Sequence, residues 1–371
     1  MSPKVATKTT TESKKDSRVR GNDRKDGNEK SGRTEQSGGD DGSLSTATLR
    51  TAEHVFPGHP DKVCDRISDA ILDSCLTVDP KSRTAIEVLG SHGTLMIGGE
   101  VTTRADYDGE AIARRVYDET GYTAPLEIHQ KIVKQSPEIA SGVDTGGAGD
   151  QGIMVGYATS ETDELLPKEL VLARKLAEAL AASGYGPDGK TQVTLSGEEV
   201  VEVVASVQHV EGEDLEDLRA KVKAVIAGTL GPVGKVFINP AGTFHIGGFE
   251  ADAGLTGRKI IVDQYGPQIP AGGGAFSGKD ATKVDRSAAY MARKVAADFV
   301  RNGADKALVK IAYAIGVAEP VMVHANVDGK EVTVEGYDLR PKAIIEQLGL
   351  RKPIFEQTAT SGHFGHGFAW D

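Results

Sequence analysis

Residues 272–286, which read GGGAFSGKDATKVDR, bring glycine, lysine and aspartate together within fifteen positions. Successive glycines let backbone N–H groups turn toward an anion at close range. Lys279 and Lys283 supply compact positive charge. Asp280 and Asp285 are carboxylates, and a nearby carboxylate can hold a divalent cation that bridges phosphate oxygens. We therefore predict a polyphosphate site here, with a flexible glycine hinge and solvated lysines as the alternative.

The same segment partly matches a P-loop, the phosphate-binding loop of many ATPases and kinases. Gly273 to Lys279 fits GxxxxGK, but Asp280 stands where Ser or Thr would hold Mg²⁺. A P-loop also follows a strand directly, whereas a Pro- and Gly-containing stretch separates the predicted strand Ile260–Asp263 from it. A P-loop ATPase or kinase is therefore disfavoured.

A second anion site is predicted at Gly58–Lys62, where a helix begins. Pro60 suits the first helical position, since its missing N–H would have had no partner there. His59 and Asp61 lie at the helix N-terminus, where free N–H groups and the helix dipole attract anions. Because the carboxylate of Asp61 would repel phosphates close to it, a bound metal ion is implied there. Aspartates continue from Asp61 at four-residue intervals and are predicted to form a solvated flank: Asp65, Asp69 and Asp73.

Basic residues in two further places favour an anion. Lys190 follows a turn, and Arg258 with Lys259 lies beside glycines, where the guanidinium can grip phosphate through two N–H groups. Together with Gly58–Lys62 and 272–286, these exceed the needs of one monophosphate. A tri- or polyphosphate with Mg²⁺ fits better.

The composition is that of a soluble globular protein, with 371 residues, 39% hydrophobic and 26% charged. A net charge of −11 argues against a general nucleic-acid binder. No apolar run approaches the ~20 residues of a membrane span. Cys64 and Cys75 fall in one helix, too far apart for a disulfide, and unpaired thiols suit a reducing cytoplasm.

Polar residues dominate 1–48, which is predicted to be a disordered tail that could serve as a targeting or interaction arm. Beyond it, antiparallel strand pairs with a helix recur about three times, which predicts the α+β class. The glycine cluster 142–152 predicts a mobile loop over a site or a domain junction. The helix that begins at Gly58 is followed by predicted helices at Asp108–Thr120, Pro167–Ser183, Leu215–Gly228, Val284–Arg301 and Arg340–Leu348. Predicted strands are Thr84–Leu89, Thr94–Val101, Ile153–Ala158, Thr191–Leu195, Glu199–Gln208, Lys235–Ile238, Ile260–Asp263, Lys310–Val317 and Pro320–Ala325.

Five segments, in order, resemble the S-adenosylmethionine synthetase (methionine adenosyltransferase) family. They are GHPDKVCDRISDAILD, GAGDQGIMVGYATSETDELLP, GLTGRKIIVDQYG, GGGAFSGKDATKVDRSAAYMAR and YAIGVAEP. The similarity covers nearly all of residues 50–371. It implies three similar α+β domains around a pseudo-threefold axis, at 49–145, 146–244 and 245–371.

The resemblance also implies a reaction. Methionine sulfur attacks C5′ of ATP and displaces tripolyphosphate, which is then cleaved to pyrophosphate and phosphate. Two Mg²⁺ per site and K⁺ are expected. The expected assembly is a homodimer with shared active sites, with a dimer of dimers as the alternative, in the cytoplasm and without nucleic-acid or membrane partners.

Residue roles follow from the resemblance. Catalytic roles fall to His59, Lys190, Arg258 and Lys279, with His59 at the breaking C5′–O bond. The ATP- and phosphate-binding set is His59, Asp150, Asp188, Lys190, Phe244, Arg258, Lys259, Ala275 and Lys279, with Phe244 stacked on adenine. Methionine would be bound by Glu100, Gln135, Asp252 and Lys283. Asp61 and Asp285 would hold Mg²⁺, and Glu87 would hold K⁺.

The departures from the family are modest. Phe56-Pro57 stand where Ser-Glu is usual, the gating region between Gln135 and Asp150 is short, and 209–235 looks trimmed. A catalytically silent regulatory homologue is the remaining alternative. It should have lost a central site residue, yet all five are present: His59, Asp61, Lys279, Lys283 and Asp285.

Overall fold

A computed structural model describes residues 48–135 and 146–371. The predicted disordered tail, up to residue 47, therefore lies outside the described residues, as does 136–145 of the predicted gate. The helices are α1 Pro60–Val78, α2 Gly109–Glu119, α3 Lys168–Ala182, α4 Leu215–Leu230, α5 Ile260–Asp263, α6 Val284–Arg301, α7 Pro341–Gln347 and α8 Thr358–Ser361. The strands are β1 Leu49–Val55, β2 Arg83–Ser91, β3 Thr94–Thr102, β4 Glu127–Val133, β5 Gly152–Thr159, β6 Gly189–Ser196, β7 Glu199–Val207, β8 Lys235–Ile238, β9 Gly254–Leu255, β10 Lys306–Tyr313, β11 Met322–Val327 and β12 Lys330–Val332.

In the described part of the chain these strands form three four-stranded sheets, ordered β1-β6-β7-β8, β9-β2-β3-β4 and β5-β10-β11-β12. Each sheet contains an antiparallel hairpin from one third of the chain. The first strand of the sheet, which pairs with one edge of that hairpin, comes from another third. Strand β1 pairs with β6, β5 with β10, and β9 with β2. This three-way strand exchange relates three similar α+β units, so the predicted fold class is confirmed.

The fourth strand distinguishes the third sheet from the other two. Strands β4 and β8 add in parallel after the helices α2 and α4. Strand β12 instead closes an antiparallel hairpin through Asp328-Gly329. Both turn residues have positive φ, 51° and 81°, which the primed two-residue hairpin turns require and Asp-Gly supplies.

Helix α6 forms the largest packing contact with the third sheet. Its residues Ala288, Met291 and Val295 are buried in that core. Against β5 the approach is so close that a Cβ at Gly156 would lie 2.0 Å from the carbonyl oxygen of Ala292. At the start of α6, the predicted site residue Asp285 lies beside Gly152, the first residue of β5.

The aspartates of α1 are not a solvated flank, and that prediction was wrong. Asp65 and Asp69 are at most 1% exposed. Along one helix face, which i, i+4 spacing creates, successive carboxylates accept backbone N–H groups of the C-terminal third. The pairs are Asp61 with Leu255, Asp65 with Gly257, Asp69 with Gly278, and Asp73 with Phe355 and Glu356. This aspartate row (Asp61, Asp65, Asp69 and Asp73) fastens the C-terminal loops to α1.

A second correction concerns Ile260–Asp263, which is the short helix α5 and not a strand. Its β-branched Ile-Ile-Val favoured a strand. A turn of helix instead closes from Asp263 N–H to the Lys259 carbonyl at 2.8 Å and brings Asp263 beside Lys62 of α1. Tertiary contacts therefore override the local preference.

Other element boundaries moved or were missed. Strand β10 begins four residues before the predicted Lys310, and β11 runs to Val327. Strands β1, β4, β9 and β12 were not predicted. Cys64 and Cys75 are buried, free thiols, as predicted. No helix of the described residues is both long and apolar enough to cross a membrane.

Candidate active site

His59 caps the N-terminus of α1 through its own ring. Its Nδ1 accepts the Asp61 N–H at 3.2 Å. Because Nδ1 is an acceptor, the neutral ring carries its proton on Nε2 and can donate it. Burial and the nearby charge of Lys259, opposed by Asp61, lower the pKa of His59 to about 4. At neutral pH the site therefore holds a neutral, oriented imidazole donor.

Asp61 contacts the two basic residues Arg258 and Lys259 through its carboxylate. One carboxylate oxygen lies 2.5 Å from Lys259 Nζ, and the other accepts the Leu255 N–H and lies 3.7 Å from Arg258 Nε. Burial opposes ionisation of Asp61, but these contacts hold its pKa below the usual value. The side chain of Arg258 remains 53% exposed, so its charge can still reach a ligand.

The pairing of β1 with β6 brings Lys190 to the same place. Lys190 pairs with Val55, four residues before His59, and its ammonium lies 3.3 Å from Glu53. The positive charge of Lys190 contributes to the low pKa of His59. The side chain of Lys190 is 46% exposed, which leaves it accessible to an anion.

Asp188 is buried just before Lys190 and holds a neighbouring loop. Its carboxylate accepts the Gly248 N–H at 2.9 Å. Burial raises the pKa of Asp188 to about 6, against the hydrogen bonds from Gly248 and Gly189. Asp252 is exposed and close enough for its charge to influence both His59 and Asp188.

Lys279 and Asp285 form the centre of a second group. Their side chains lie 2.7 Å apart, and both are largely covered. A Cβ at Gly274 would lie 2.4 Å from the Asp285 carboxylate, so that glycine permits the close approach. The Lys283 ammonium meets Asp280 at 2.7 Å, while Asp280 also accepts the Thr84 N–H at 2.9 Å.

Glutamates from the β9-β2-β3-β4 sheet belong to this second group. Ala85 on β2 bridges to Lys279 on one side and pairs with Glu100 of β3 on the other. Partial burial raises the pKa of Glu87, with the charge of Lys279 opposing. Gln135 follows β4 and is 8% exposed, and its side-chain oxygen has no hydrogen-bond partner among the described residues.

The remaining predicted residues are distributed between the groups. Phe244 is half-buried and held by His209, whose Nε2 accepts its N–H at 3.1 Å. Asp150 is exposed two residues before Gly152, which lies against Asp285. The first group comprises His59, Asp61, Asp188, Lys190, Phe244, Asp252, Arg258 and Lys259. The second comprises Glu87, Glu100, Gln135, Asp150, Lys279, Lys283 and Asp285.

Ala275 lies where the two groups approach each other. A Cβ on Gly257 would come within 2.5 Å of the Ala275 Cβ. On α1, the anchors of the two groups are Asp61 and Asp69, eight residues and roughly 12 Å apart along the axis. In the described part of the chain, the predicted site residues therefore form two separate groups, each anchored to a different aspartate of α1.

The loop 272–286 is not built as a P-loop. The Gly278 N–H, which a P-loop would turn toward phosphate, donates to Asp69 at 2.8 Å. The Lys279 and Asp280 N–H groups donate to the Phe276 and Thr84 carbonyls. Side chains, rather than a nest of backbone N–H groups, are therefore what this loop offers a polyphosphate.

Sequence reasoning missed two buried features that support the site. Arg286 bonds Asp69 and the carbonyls of Phe276 and Lys279. Lys62 bonds Asp65 and Asp263 beneath the segment that carries Lys259. The four-residue spacing of the α1 aspartates was the available signal, but spacing alone does not distinguish a solvent-exposed helix face from a buried one.

Among the described residues no group of three or more His, Cys, Asp or Glu side chains is arranged to hold a metal ion. Asp61 and Asp285 instead offer one carboxylate each, already paired with an ammonium. Mg²⁺ in phosphate-transfer sites commonly takes one or two carboxylates and completes its shell with phosphate and water. The donor set fits such an ion and does not form an all-protein cage.

Three family models match the chain in succession. Those described as S-adenosylmethionine synthetase N-terminal, central and C-terminal domain match residues 47–142, 145–244 and 246–371. The S-adenosylmethionine synthase of Brachyspira hyodysenteriae is 43% identical over 86% of this chain and 95% of its own length. Those of Sorangium cellulosum and Desulforudis audaxviator are 46% and 45% identical over 86% of this chain, and over 86% and 93% of their own lengths. The chain therefore belongs to the S-adenosylmethionine synthetase family of methionine adenosyltransferases.

Proposed function

We propose that this chain makes S-adenosylmethionine from L-methionine and ATP, releasing tripolyphosphate inside the site and cleaving it to pyrophosphate and phosphate. The observation that carries the proposal is His59, a neutral imidazole oriented by the Asp61 N–H and surrounded by Lys259, Arg258 and Lys190. Such a group can donate a hydrogen bond to an oxygen that gains negative charge as it leaves.

The adenosyl transfer needs charge compensation more than acid–base chemistry. A C5′–S bond forms as the C5′–O bond breaks, and the electron pair of the broken bond leaves on tripolyphosphate. Methionine sulfur is neutral and already nucleophilic, so no base has to deprotonate it. Tripolyphosphate is a good leaving group only when its charge is balanced, which is the role proposed for Lys190, Arg258 and Lys259.

Cleavage of the bound tripolyphosphate is assigned to both groups, with Lys279 as the central cation of the second. Water attacks a terminal phosphorus, and the P–O bond to the remaining pyrophosphate breaks. The pairing of Lys279 with Asp285 fixes the ammonium where the loop approaches β2. Methionine is proposed to be bound by Glu100, Gln135, Asp252 and Lys283. The side-chain oxygen of Gln135, which has no partner among the residues that the structure describes, is suited to accept a hydrogen bond from an ammonium.

We propose that Asp61 and Asp285 hold Mg²⁺ and that Glu87 holds K⁺. When bound, these ions would neutralise phosphate oxygens beyond what the side chains can reach. This rests on the carboxylates themselves: Asp61 keeps a lowered pKa, so it is ionised at neutral pH and available to a cation.

The separation of the two groups leads us to propose a shared active site in a homodimer. In that arrangement the His59 group of one protomer faces the Lys279 group of its partner. Co-expression of His59→Asn and Lys279→Met chains tests it, because a mixed dimer then has one site with both substitutions and one with neither. Random pairing should give about a quarter of the wild-type rate of S-adenosylmethionine synthesis. A rate no higher than that of the two variants expressed alone would contradict shared sites.

The reaction itself is tested by following three products together. Protein is mixed with L-methionine, ATP, Mg²⁺ and K⁺, and S-adenosylmethionine, pyrophosphate and phosphate are quantified. Equal amounts of all three, dependent on methionine, are expected. ADP and phosphate without S-adenosylmethionine would contradict the proposal in favour of an ATPase, and ATP binding without turnover would indicate a silent homologue.

A further inference from the structure

A buried charge cluster lies directly beneath the first group of site residues. Lys62, which is 2% exposed, donates to Asp263 at 2.7 Å and to Asp65 at 3.2 Å. Asp65 and Asp263 are 1% and 4% exposed. Lys62 follows Asp61 immediately in the chain, so the cluster shares its helix turn with the predicted magnesium ligand.

The cluster holds both ends of the segment that carries Arg258 and Lys259. At one end, the second oxygen of Asp65 accepts the Gly257 N–H at 2.8 Å. At the other end, Asp263 bonds Lys62, and its own N–H closes a helical turn onto the Lys259 carbonyl. Lys259 is thereby presented to Asp61 from a segment fixed on either side.

Gly257 shows how tightly this segment is constrained. Its φ of +83° is in the left-handed region, and a Cβ added to it would lie 2.5 Å from the Cβ of Ala275 in the loop 272–286. A displacement at Gly257 would therefore move the cations at 258–259 and the contact with Ala275 together.

Stability alone does not account for such a cluster. Burying two carboxylates and an ammonium costs desolvation, and apolar residues of similar volume often stabilise a protein as well or better. A buried ion network does, however, enforce one geometry, because a displaced member loses its charged partner in a place that water does not fill. Geometry is the property that a charge-compensating site requires.

We infer that Lys62, Asp65 and Asp263 are positioning residues, which set the location of Arg258 and Lys259 relative to Asp61 and His59. The role of Arg258 and Lys259 in the reaction rests on the proposed function. The way in which these two residues are held rests on the contacts alone. The critical link is the hydrogen bond from Gly257 N–H to Asp65.

The test compares two substitutions of the same shape. Asp65→Asn keeps an oxygen that can accept the Gly257 N–H, whereas Asp65→Leu removes it. Asp73→Leu is the matched control, because Asp73 occupies the same face of α1 and accepts backbone N–H groups from Phe355 and Glu356 instead. If Asp65→Leu does not fold, Asp65→Ala takes its place.

Two readouts are measured on the full chain. Amide hydrogen exchange in peptides covering 256–264 should speed up in Asp65→Leu and remain near wild type in Asp65→Asn and Asp73→Leu. For S-adenosylmethionine synthesis, kcat should fall about 10- to 100-fold in Asp65→Leu, as expected when charged groups are misplaced by about an ångström. The KM for methionine should change less than about twofold, and Asp65→Asn should restore most of kcat.

The outcomes separate this inference from the proposed function. Equal exchange in 256–264 for Asp65→Leu and Asp73→Leu would overturn the positioning role, whatever the activity. Equal kcat losses in Asp65→Leu and Asp65→Asn would overturn the Gly257 hydrogen bond as the critical link, because the charge pair of Asp65 with Lys62 would then account for the effect. If wild type makes no S-adenosylmethionine, the proposed function fails, and the exchange measurement still decides the positioning role.

Discussion

Asp69 and Arg286 form a two-pronged ion pair in which both side chains are completely buried, with N–O distances of 2.6 and 2.8 Å. The pair joins the middle of α1 to the first turn of α6. Arg286 also donates to the carbonyls of Phe276 and Lys279, and Asp69 accepts the Gly278 N–H. The loop that carries Lys279 is thus held from inside the protein.

Arg286→Met should strongly destabilise the fold, because it leaves Asp69 charged and buried without its partner. We expect a loss of about 3–5 kcal/mol in the free energy of unfolding, measured by denaturant titration. Arg340→Met is the control, since its pair with Asp338 is exposed and should contribute less than about 1 kcal/mol. Equal losses in the two variants would show that the buried Asp69–Arg286 pair contributes no more to the free energy of unfolding than an exposed pair does.

His59→Asn should separate the two chemical steps. Asparagine is a good N-cap and can still accept the Asp61 N–H, so the helix start is preserved. It lacks the imidazole donor, and we expect adenosyl transfer to fall about 100- to 1,000-fold. Hydrolysis of added tripolyphosphate should remain within a few-fold of wild type. A parallel loss of both activities would contradict a role for His59 at the C5′–O bond.

The same variant should change how stability depends on pH. The pKa of His59 is about 4 in the folded chain, lowered by burial and Lys259, against about 6.5 when unfolded. Between these values the unfolded chain binds a proton that the folded chain does not, so stability falls as pH drops from 6.5 toward 4. His59→Asn removes this contribution, at most about 3 kcal/mol. Its melting temperature should therefore decline less on acidification than that of wild type, and parallel curves would disprove the assignment.

Gly257→Ala should cost both stability and activity. The new Cβ would lie 2.5 Å from the Ala275 Cβ, in a left-handed backbone conformation. Gly197→Ala is the control, because Gly197 also has a positive φ, +59°, but nothing within 4 Å of an added Cβ. Backbone strain alone costs about 1–2 kcal/mol, so a larger loss for Gly257→Ala in thermal unfolding would measure the clash. Only Gly257→Ala should lower kcat.

Removal of residues 1–45 should leave synthesis unchanged. The segment is almost devoid of apolar residues, with ten Lys and Arg against eight Asp and Glu up to residue 48. Strand β1, which the sheet requires, begins at Leu49. Initial rates with saturating substrates, compared with the full chain, check this, and a large loss would assign the tail a role in the reaction.

Long amphipathic elements could be predicted from the sequence because their periodicity is local. Val284–Arg301 was predicted with the bounds that the structure has. The three-way strand exchange could not be predicted, since a two-residue strand such as β9 has no periodicity and pairs with β2, a strand far earlier in the chain. At Ile260–Asp263 local preference favoured a strand, but a buried partner for Asp263 decided the outcome.

In the candidate site, too, features set by local sequence could be predicted and features set by tertiary contacts could not. Residue types at glycine-rich loops and at the start of α1 predicted an anion site, because the backbone chemistry there is local. Which carboxylates are buried could not be predicted, since Asp65 and Asp73 have the same spacing and differ only in which distant loop covers them. The separation of the cations into two groups likewise depends on tertiary contacts.

The three-way strand exchange also determines how the chain can come apart. Removal of one third of the chain takes the first strand from one remaining sheet and leaves another donated strand without the sheet it pairs with, so that unpaired strand edges are exposed. No third can therefore be excised as an autonomous module at the boundaries between the three family models. The described core should melt in a single cooperative transition, and a fragment of one third should associate or aggregate rather than fold alone.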